Sequence, residues 1–137
     1  LAFYDPLTHL PNRTLLLKQV DSINLAEKSM ILMDIARLKT VNETLGFATG
    51  DTVILESAKR INQVLSSSDL GDCWIAKLSG GMFAILCSTN QQEKIVQLLK
   101  QIDHHLTDPF IVVNILSMLI WFMALRRQLP IISRSIR

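Results

Sequence analysis

Asp34, Lys39, Asn42 and Asp51 follow one another in a single short stretch of the chain. Acid, cation, amide and acid are side chains that could serve a nucleotide. The Asp34 carboxylate suits a divalent metal, the Lys39 ammonium a phosphate, and Asn42 with Asp51 the hydrogen-bonding edge of a base. Spacing alone leaves plainer readings open. Asp51 stands at the start of a helix expected from Thr52 to about Leu65 and reads equally well as its N-cap, worth roughly 1 kcal/mol. Asn42 reads as a turn residue, and Lys39 as a solvated cation. Asp34 closes the apolar run SMILMD, and the end of a strand is where a scaffold usually displays functional groups.

The elements that must position these residues follow from pattern. YDPLTHLPNR is turn chemistry, with Asp5-Pro6 and Pro11-Asn12 as breakers and Thr8 or Asn12 available to cap a helix. A helix is expected over about Arg13–Lys28, then a buried strand over Ser29–Asp34. The polar connection after it has room for one helical turn, and Gly46 and Gly50 then punctuate. Ile54, Ala58, Ile61 and Leu65 fall on one face of the next helix. CWIAKL and FAILC are β-rich runs separated by a Gly pair, so Cys73–Ser88 is expected to be a hairpin turning at Gly80-Gly81. A further helix is expected over Gln92–His105, with Ile95, Leu98, Leu99, Ile102 and Leu106 in phase, and Phe110–Val113 could begin another strand. The order α-β-α-β-β-α-β predicts an α/β sandwich, helices packed on a mixed sheet.

Composition sets the class. The 137 residues are 49% hydrophobic and 19% charged, which suits one globular domain with a real core and excludes a disordered chain. Net charge of +2 conceals an asymmetry: all twelve acids lie between Asp5 and Asp108, against ten Lys and Arg, whereas the segment from Pro109 to Arg137 has four Arg and no acid. No nucleic-acid partner is expected. Cys73 and Cys87, on separate strands, have no metal-ligand spacing and read as buried free thiols in a reducing compartment. His104-His105 suit the C-terminal end of a helix dipole. The start at Leu1 suggests a piece of a longer protein. The uncharged run Phe110–Leu125, followed by Arg126-Arg127, is short for a membrane span of about 20 apolar residues; a cytoplasmic domain is expected, with a membrane-associated one as the alternative.

Three blocks carry a resemblance. DPLTHLPNR closely resembles the DPLTGLPNR opening of GGDEF domains, the diguanylate cyclase family. MDIARLKTVNETLGFATGD is similar to that family's DIDxFKxINDxxGHxxGD, and KLSGGMFAI falls, at the right spacing, where the family has RxGGDEFA. The resemblance covers Leu1 to about Val113 and implies a palm-like βαββαβ core like that of nucleotide cyclases and polymerases. It implies an activity in which two GTP molecules, one per domain, are joined into cyclic di-GMP on two Mg²⁺ ions held largely by carboxylates. Asp34 and Ile35 match metal-site positions, Leu38 and Lys39 phosphate-contacting ones, and Asn42 and Asp51 the positions that bond guanine. The signature loop departs from the pattern. Ser79 replaces its first glycine, Gly81 its metal-binding acid and Met82 its catalytic acid. Ala36 replaces a further acid, and Phe47 the histidine usual after LG. Leu70 and Cys73 occupy the product-inhibition positions. A hard cation wants oxygen ligands, so the expectation is a domain that makes no cyclic di-GMP.

After Val113 the family's closing strand and final helix have no counterpart in NILSMLIWFMALRRQLPIISRSIR. The chain therefore divides into a partial GGDEF domain, 1–113, and a divergent tail, 114–137, with a reading-frame change or truncation as the suggested origin. The slot beside SMILMD would be an exposed edge unless ILSMLIW fills it. The resulting expectation is a degenerate, C-terminally damaged domain that regulates a neighbouring phosphodiesterase or sensor domain, with residual GTP binding and homodimer formation as open features. The alternatives are an active cyclase with an altered site, a remnant without function, and a membrane-tethered interaction module using Phe110–Leu125.

Overall fold

A computed structural model describes residues 2–22, 28–35, 38–68, 72–107 and 135–136. The order is α1 (Arg13–Asp21), β1 (Ser29–Asp34), α2 (Leu38–Leu45), α3 (Phe47–Ser67), β2 (Cys73–Ser79), β3 (Met82–Cys87), α4 (Gln92–Thr107) and β4 (Ser135–Ile136). Helix α1 starts where Asn12 Oδ1 accepts from the Leu15 N–H at 3.1 Å. It stops short of the expected Lys28, because Ser22 caps it with both its N–H and its hydroxyl on the Gln19 carbonyl. The connection after β1 is a two-turn helix, α2, rather than a single turn. Leu38, Val41 and Leu45 recur at i, i+3 and i+7, and Val41 is buried.

Helix α3 begins at Phe47, five residues before the expected Thr52. Gly46 supplies the break, with φ 93, and no side chain caps the helix. Asp51 is therefore not an N-cap but an exposed residue inside the first turns, and Asn42 lies within α2 rather than in a turn.

The hairpin forms as expected. Ser79 faces Met82 across a Gly80-Gly81 turn, with a bulge between Lys77 and Ser79. Gly80 holds φ 46 with open space where a Cβ would stand. Gly80→Ala is thus expected to cost about 1–2 kcal/mol, all of it backbone conformation, measurable by urea unfolding; an unchanged midpoint would show that the turn shifts freely.

The sheet order is β2-β3-β1-β4. A mixed sheet was expected. The pairings among the described residues are all antiparallel, because β3 lies between β1 and β2, the strands that run parallel, as in a split βαβ unit. Side-chain alternation divides the sheet's faces. Ile31, Met33, Phe83, Ile85 and Cys87 join Val53, Ile61 and Val64 of α3 and Leu98, Ile102 and Leu106 of α4 in the main core. Ala76 and Ala84 pack with Leu16 of α1 on the other face, flanked by Met30, Leu32 and Trp74. Each fully buried Ile, Leu or Phe contributes roughly 1.5–3 kcal/mol.

Strand β4 pairs Ile136 with Met30 and Ser135 with Ile31. The slot beside those two residues of β1 is thus held by the C-terminal end of the chain. Residues 110–113 and 115–121, which the sequence offered as strands, lie outside the described residues. Among the described residues no helix is long and apolar enough to cross a membrane.

An ion pair ties the N-terminal turn to the hairpin. Lys77 Nζ donates to Asp5 Oδ1 at 3.1 Å, with the two side chains only 9% and 15% exposed. Asp5 Oδ2 also accepts from the Thr8 N–H and hydroxyl, each at 2.8 Å, and the Lys77 N–H donates to the Pro11 carbonyl at 2.8 Å. Burial pushes the Asp5 carboxyl up, but the Thr8 bonds and Lys77 outweigh it and hold the group below its ordinary value. The turn between them puts His9 at φ 60, where the resembled family pattern carries glycine.

Candidate functional site

Two loops meet at the end of β1. Asp34, the last and most exposed residue of the strand, stands directly opposite Met82, and Met33 opposite Phe83. The next residue, Ile35, is buried and donates its N–H to the Gly81 carbonyl at 2.9 Å. The signature turn is therefore pinned onto the end of β1 by backbone bonding. Gly81 is itself buried. A Cβ there would come within 2.9 Å of Leu38 Cδ2 and 3.1 Å of Ile35 Cβ. Hydrocarbon from Leu38 of α2 and from Ile35, just past β1, crowds the space that an acidic side chain at position 81 would need.

On the other flank α2 packs against α3. The Asn42 amide lies directly over Gly50, where any Cβ would overlap Asn42 Oδ1. This explains a glycine inside α3. Its helix cost, about 1 kcal/mol relative to alanine, gives room for the amide. Asn42 Oδ1 is buried and has no hydrogen-bond partner. An orphaned buried acceptor costs about 1–3 kcal/mol and calls for a reason. Asp51, the residue after Gly50, holds its carboxylate in solvent. Lys39 is exposed and pairs one helical turn on with Glu43 at 3.8 Å, an interaction of a few tenths of a kcal/mol. The resemblance gave Lys39 a phosphate-contacting role, with a solvated cation as the plainer reading; pattern reading took Gly50 for punctuation and missed its contact with Asn42, which has no local signal.

The structure thus brings Asp34, Ile35, Leu38, Gly81 and Met82 together at one end of the sheet, and Asn42 and Gly50 together at the α2–α3 junction, with Asp51 next in the chain and exposed. Ala36 lies outside the described residues. A divalent metal does not fit the first group. A hard cation takes about six oxygen donors, and here one carboxylate faces a methionine and a glycine. Among the described residues no group of three or more His, Cys, Asp or Glu side chains is placed to hold an ion.

Comparison with known proteins gives one consistent answer. The family profile described as "Diguanylate cyclase, GGDEF domain" matches residues 2–116. The diguanylate cyclase TpbB of Pseudomonas aeruginosa (strain UCBPP-PA14) is 36% identical over 91 residues, covering 62% of this chain and 20% of TpbB. MucR of P. aeruginosa PAO1, a bifunctional diguanylate cyclase/cyclic di-GMP phosphodiesterase, is 29% identical over 116 residues, covering 80% of this chain and 16% of MucR. The solved GGDEF domain of TpbB from P. aeruginosa PAO1 matches with a TM-score of 0.66 and 28% identity, over 80% of this chain and 66% of that one. The chain spans a fifth or less of the length of these two curated relatives.

Proposed function

Because the chain belongs to the GGDEF, or diguanylate cyclase, family, we propose that it is a guanine-nucleotide-binding regulatory domain that no longer carries out the cyclase reaction. The carrying observation is the orphaned Asn42 Oδ1, which packs over Gly50, the residue before Asp51. Guanine presents N1–H and N2–H₂ as adjacent donors. The Asp51 carboxylate suits that pair, and turning the Asn42 amide outward gives its oxygen a donor and removes the penalty of leaving it unpaired. Adenine offers an acceptor at N1 and is disfavoured at the same edge. Gly50 keeps the amide in place by having no side chain. Asp34 remains at the other end, without the acids a metal-assisted phosphoryl transfer needs.

A domain that binds GTP without consuming it acts through what it touches. MucR is described as bifunctional, cyclase and phosphodiesterase in one protein, so a neighbouring phosphodiesterase domain is the partner proposed here, in cyclic di-GMP signalling inside the cytoplasm, where GTP is found.

The test is a calorimetric titration of the whole chain with GTP and with ATP. GTP is expected to bind more tightly. Asn42→Ala and Asp51→Ala should each reduce that preference roughly 5- to 150-fold, the equivalent of one lost hydrogen bond at about 1–3 kcal/mol. Gly50→Ala should behave like Asn42→Ala, because it displaces the same amide. Equal binding of the two nucleotides, indifferent to all three substitutions, refutes the reading.

A further inference from the structure

Cys73 and Cys87 are directly opposed on β2 and β3, with their sulfurs 3.4 Å apart and both thiols free. The ladder beside them fixes the kind of pair. The Ser88 N–H donates to the Asp72 carbonyl at 3.2 Å, so Asp72 and Ser88 form a hydrogen-bonded pair and Cys73 and Cys87 the next, non-hydrogen-bonded one. At such a site Cα atoms approach to about 4.5 Å, inside the roughly 4.4–6.8 Å range that a disulfide spans. The two thiols are also unequal. Cys87 is fully buried in the main core, whereas Cys73 is half-buried at its margin.

We infer that Cys73 and Cys87 are a reactive dithiol site, which takes small-molecule disulfides as its oxidant and closes into an intramolecular bridge across the open end of the β2–β3 hairpin. Cys73 is the attacking group. In the neutral pair its thiol donates to Cys87 Sγ. Once Cys73 ionises, the Cys87 S–H turns to donate to the thiolate and holds it below the ordinary thiol value, while that same bond and burial push Cys87 up. The Cys73 thiolate attacks one sulfur of a disulfide RSSR, forming Cys73–S–S–R and releasing RS⁻. Cys87 Sγ, at contact distance, then attacks Cys73 Sγ and expels the second RS⁻, which takes up the Cys87 proton. Two protein thiols lose two electrons, and RSSR is reduced to two thiols. The buried partner needs no outward movement, because the sulfur it attacks is already beside it. The bridge would lock the hairpin at the end opposite Gly80-Gly81, so the site is a redox clamp on the element that carries the signature turn.

The test equilibrates the full chain with oxidised and reduced glutathione, quenches with a maleimide and reads the intact mass. The expected product is a monomer lighter by two hydrogens, with neither thiol alkylated, and it should revert with dithiothreitol. In Cys87→Ala, which keeps the site apolar, Cys73 should stop at the glutathione adduct. Cys73→Ala should leave Cys87 unmodified while folded. Two alkylatable thiols after equilibration, an adduct that persists in the natural sequence, or disulfide-linked dimers would each overturn the inference.

Discussion

Incubated with GTP and either Mg²⁺ or Mn²⁺, the protein is expected to release no cyclic di-GMP above a buffer control. The reaction its family is named for needs metal ions held by acids to neutralise charge at the transferred phosphate. The position opposite Asp34 on β3 is Met82, and the glycine before it is packed against Leu38 and Ile35. Since each 1.36 kcal/mol of lost transition-state stabilisation is tenfold in rate, a few kcal/mol removes a hundredfold or more. Writing the acids back is not expected to restore turnover. In Gly81→Asp/Met82→Glu, the new Cβ at position 81 meets Ile35 Cβ at 3.1 Å. The hairpin must shift, at a cost of about 1–3 kcal/mol. Chromatographic detection of cyclic di-GMP after prolonged incubation checks both proteins. Product from the natural sequence that increases with metal concentration would show that another donor set holds the ions.

The Asp5–Lys77 pair should dominate the response of stability to mutation and acid. Asp5→Ala leaves the Lys77 ammonium in a site where the residue is only 8% exposed. Breaking a buried pair from one side costs about 3–5 kcal/mol. The lower end applies here, because Asp5 keeps some contact with solvent. About 3 kcal/mol corresponds to a fall in Tm of roughly 10 °C for a domain of this size. Asp5→Ala/Lys77→Met should recover most of it, since no charge is then stranded.

The sign of the pH effect follows from the depressed Asp5 carboxyl. Its contribution is complete above the unfolded value of about 3.9 and is lost as pH falls from there through the lower folded value. The gap in unfolding free energy between the natural protein and Asp5→Ala should therefore be constant from pH 7 to about 5 and close below about 4. A gap that stays open at pH 3 would assign the loss to packing instead of charge.

Much of the fold was legible because its signals are local. The Gly pair between two β-rich runs marked the hairpin, and the apolar phase over Gln92–His105 marked α4, which runs on to Thr107. The errors come from contacts between distant residues. Gly50 looked like a break, because its low helix propensity is the only thing sequence reveals about it. Asn42 packing over it decides otherwise and carries α3 back to Phe47. Asp5 and Lys77 lie 72 residues apart, and nothing near either one announces the other. The candidate site was half legible. Asn42 and Asp51 were chosen for their residue types, without sight of the Asn42–Gly50 contact between the two helices; the closeness of Asp34 to Met82 follows from strand register, which spacing in a sequence does not express, and there it came from the resemblance alone.

The position of β3 between β1 and β2 also sets the order in which the chain can acquire its sheet. β2 and β3 are joined by two residues, and a hairpin of that kind closes in about 1–10 μs. Strand β1 has no partner nearby: its register residues on β3 are 48 to 58 positions downstream, from Asp34–Met82 to Ser29–Cys87. Loop-closure entropy for that contact falls on the chain before any of it is repaid. On a ribosome, SMILMD emerges before β3 and waits as an unpaired apolar segment until Cys87 has cleared the exit tunnel. Its protection in that interval falls to α1, which is made before it, because the turn of residues 2–12 has no Lys77 to hold it until the hairpin arrives.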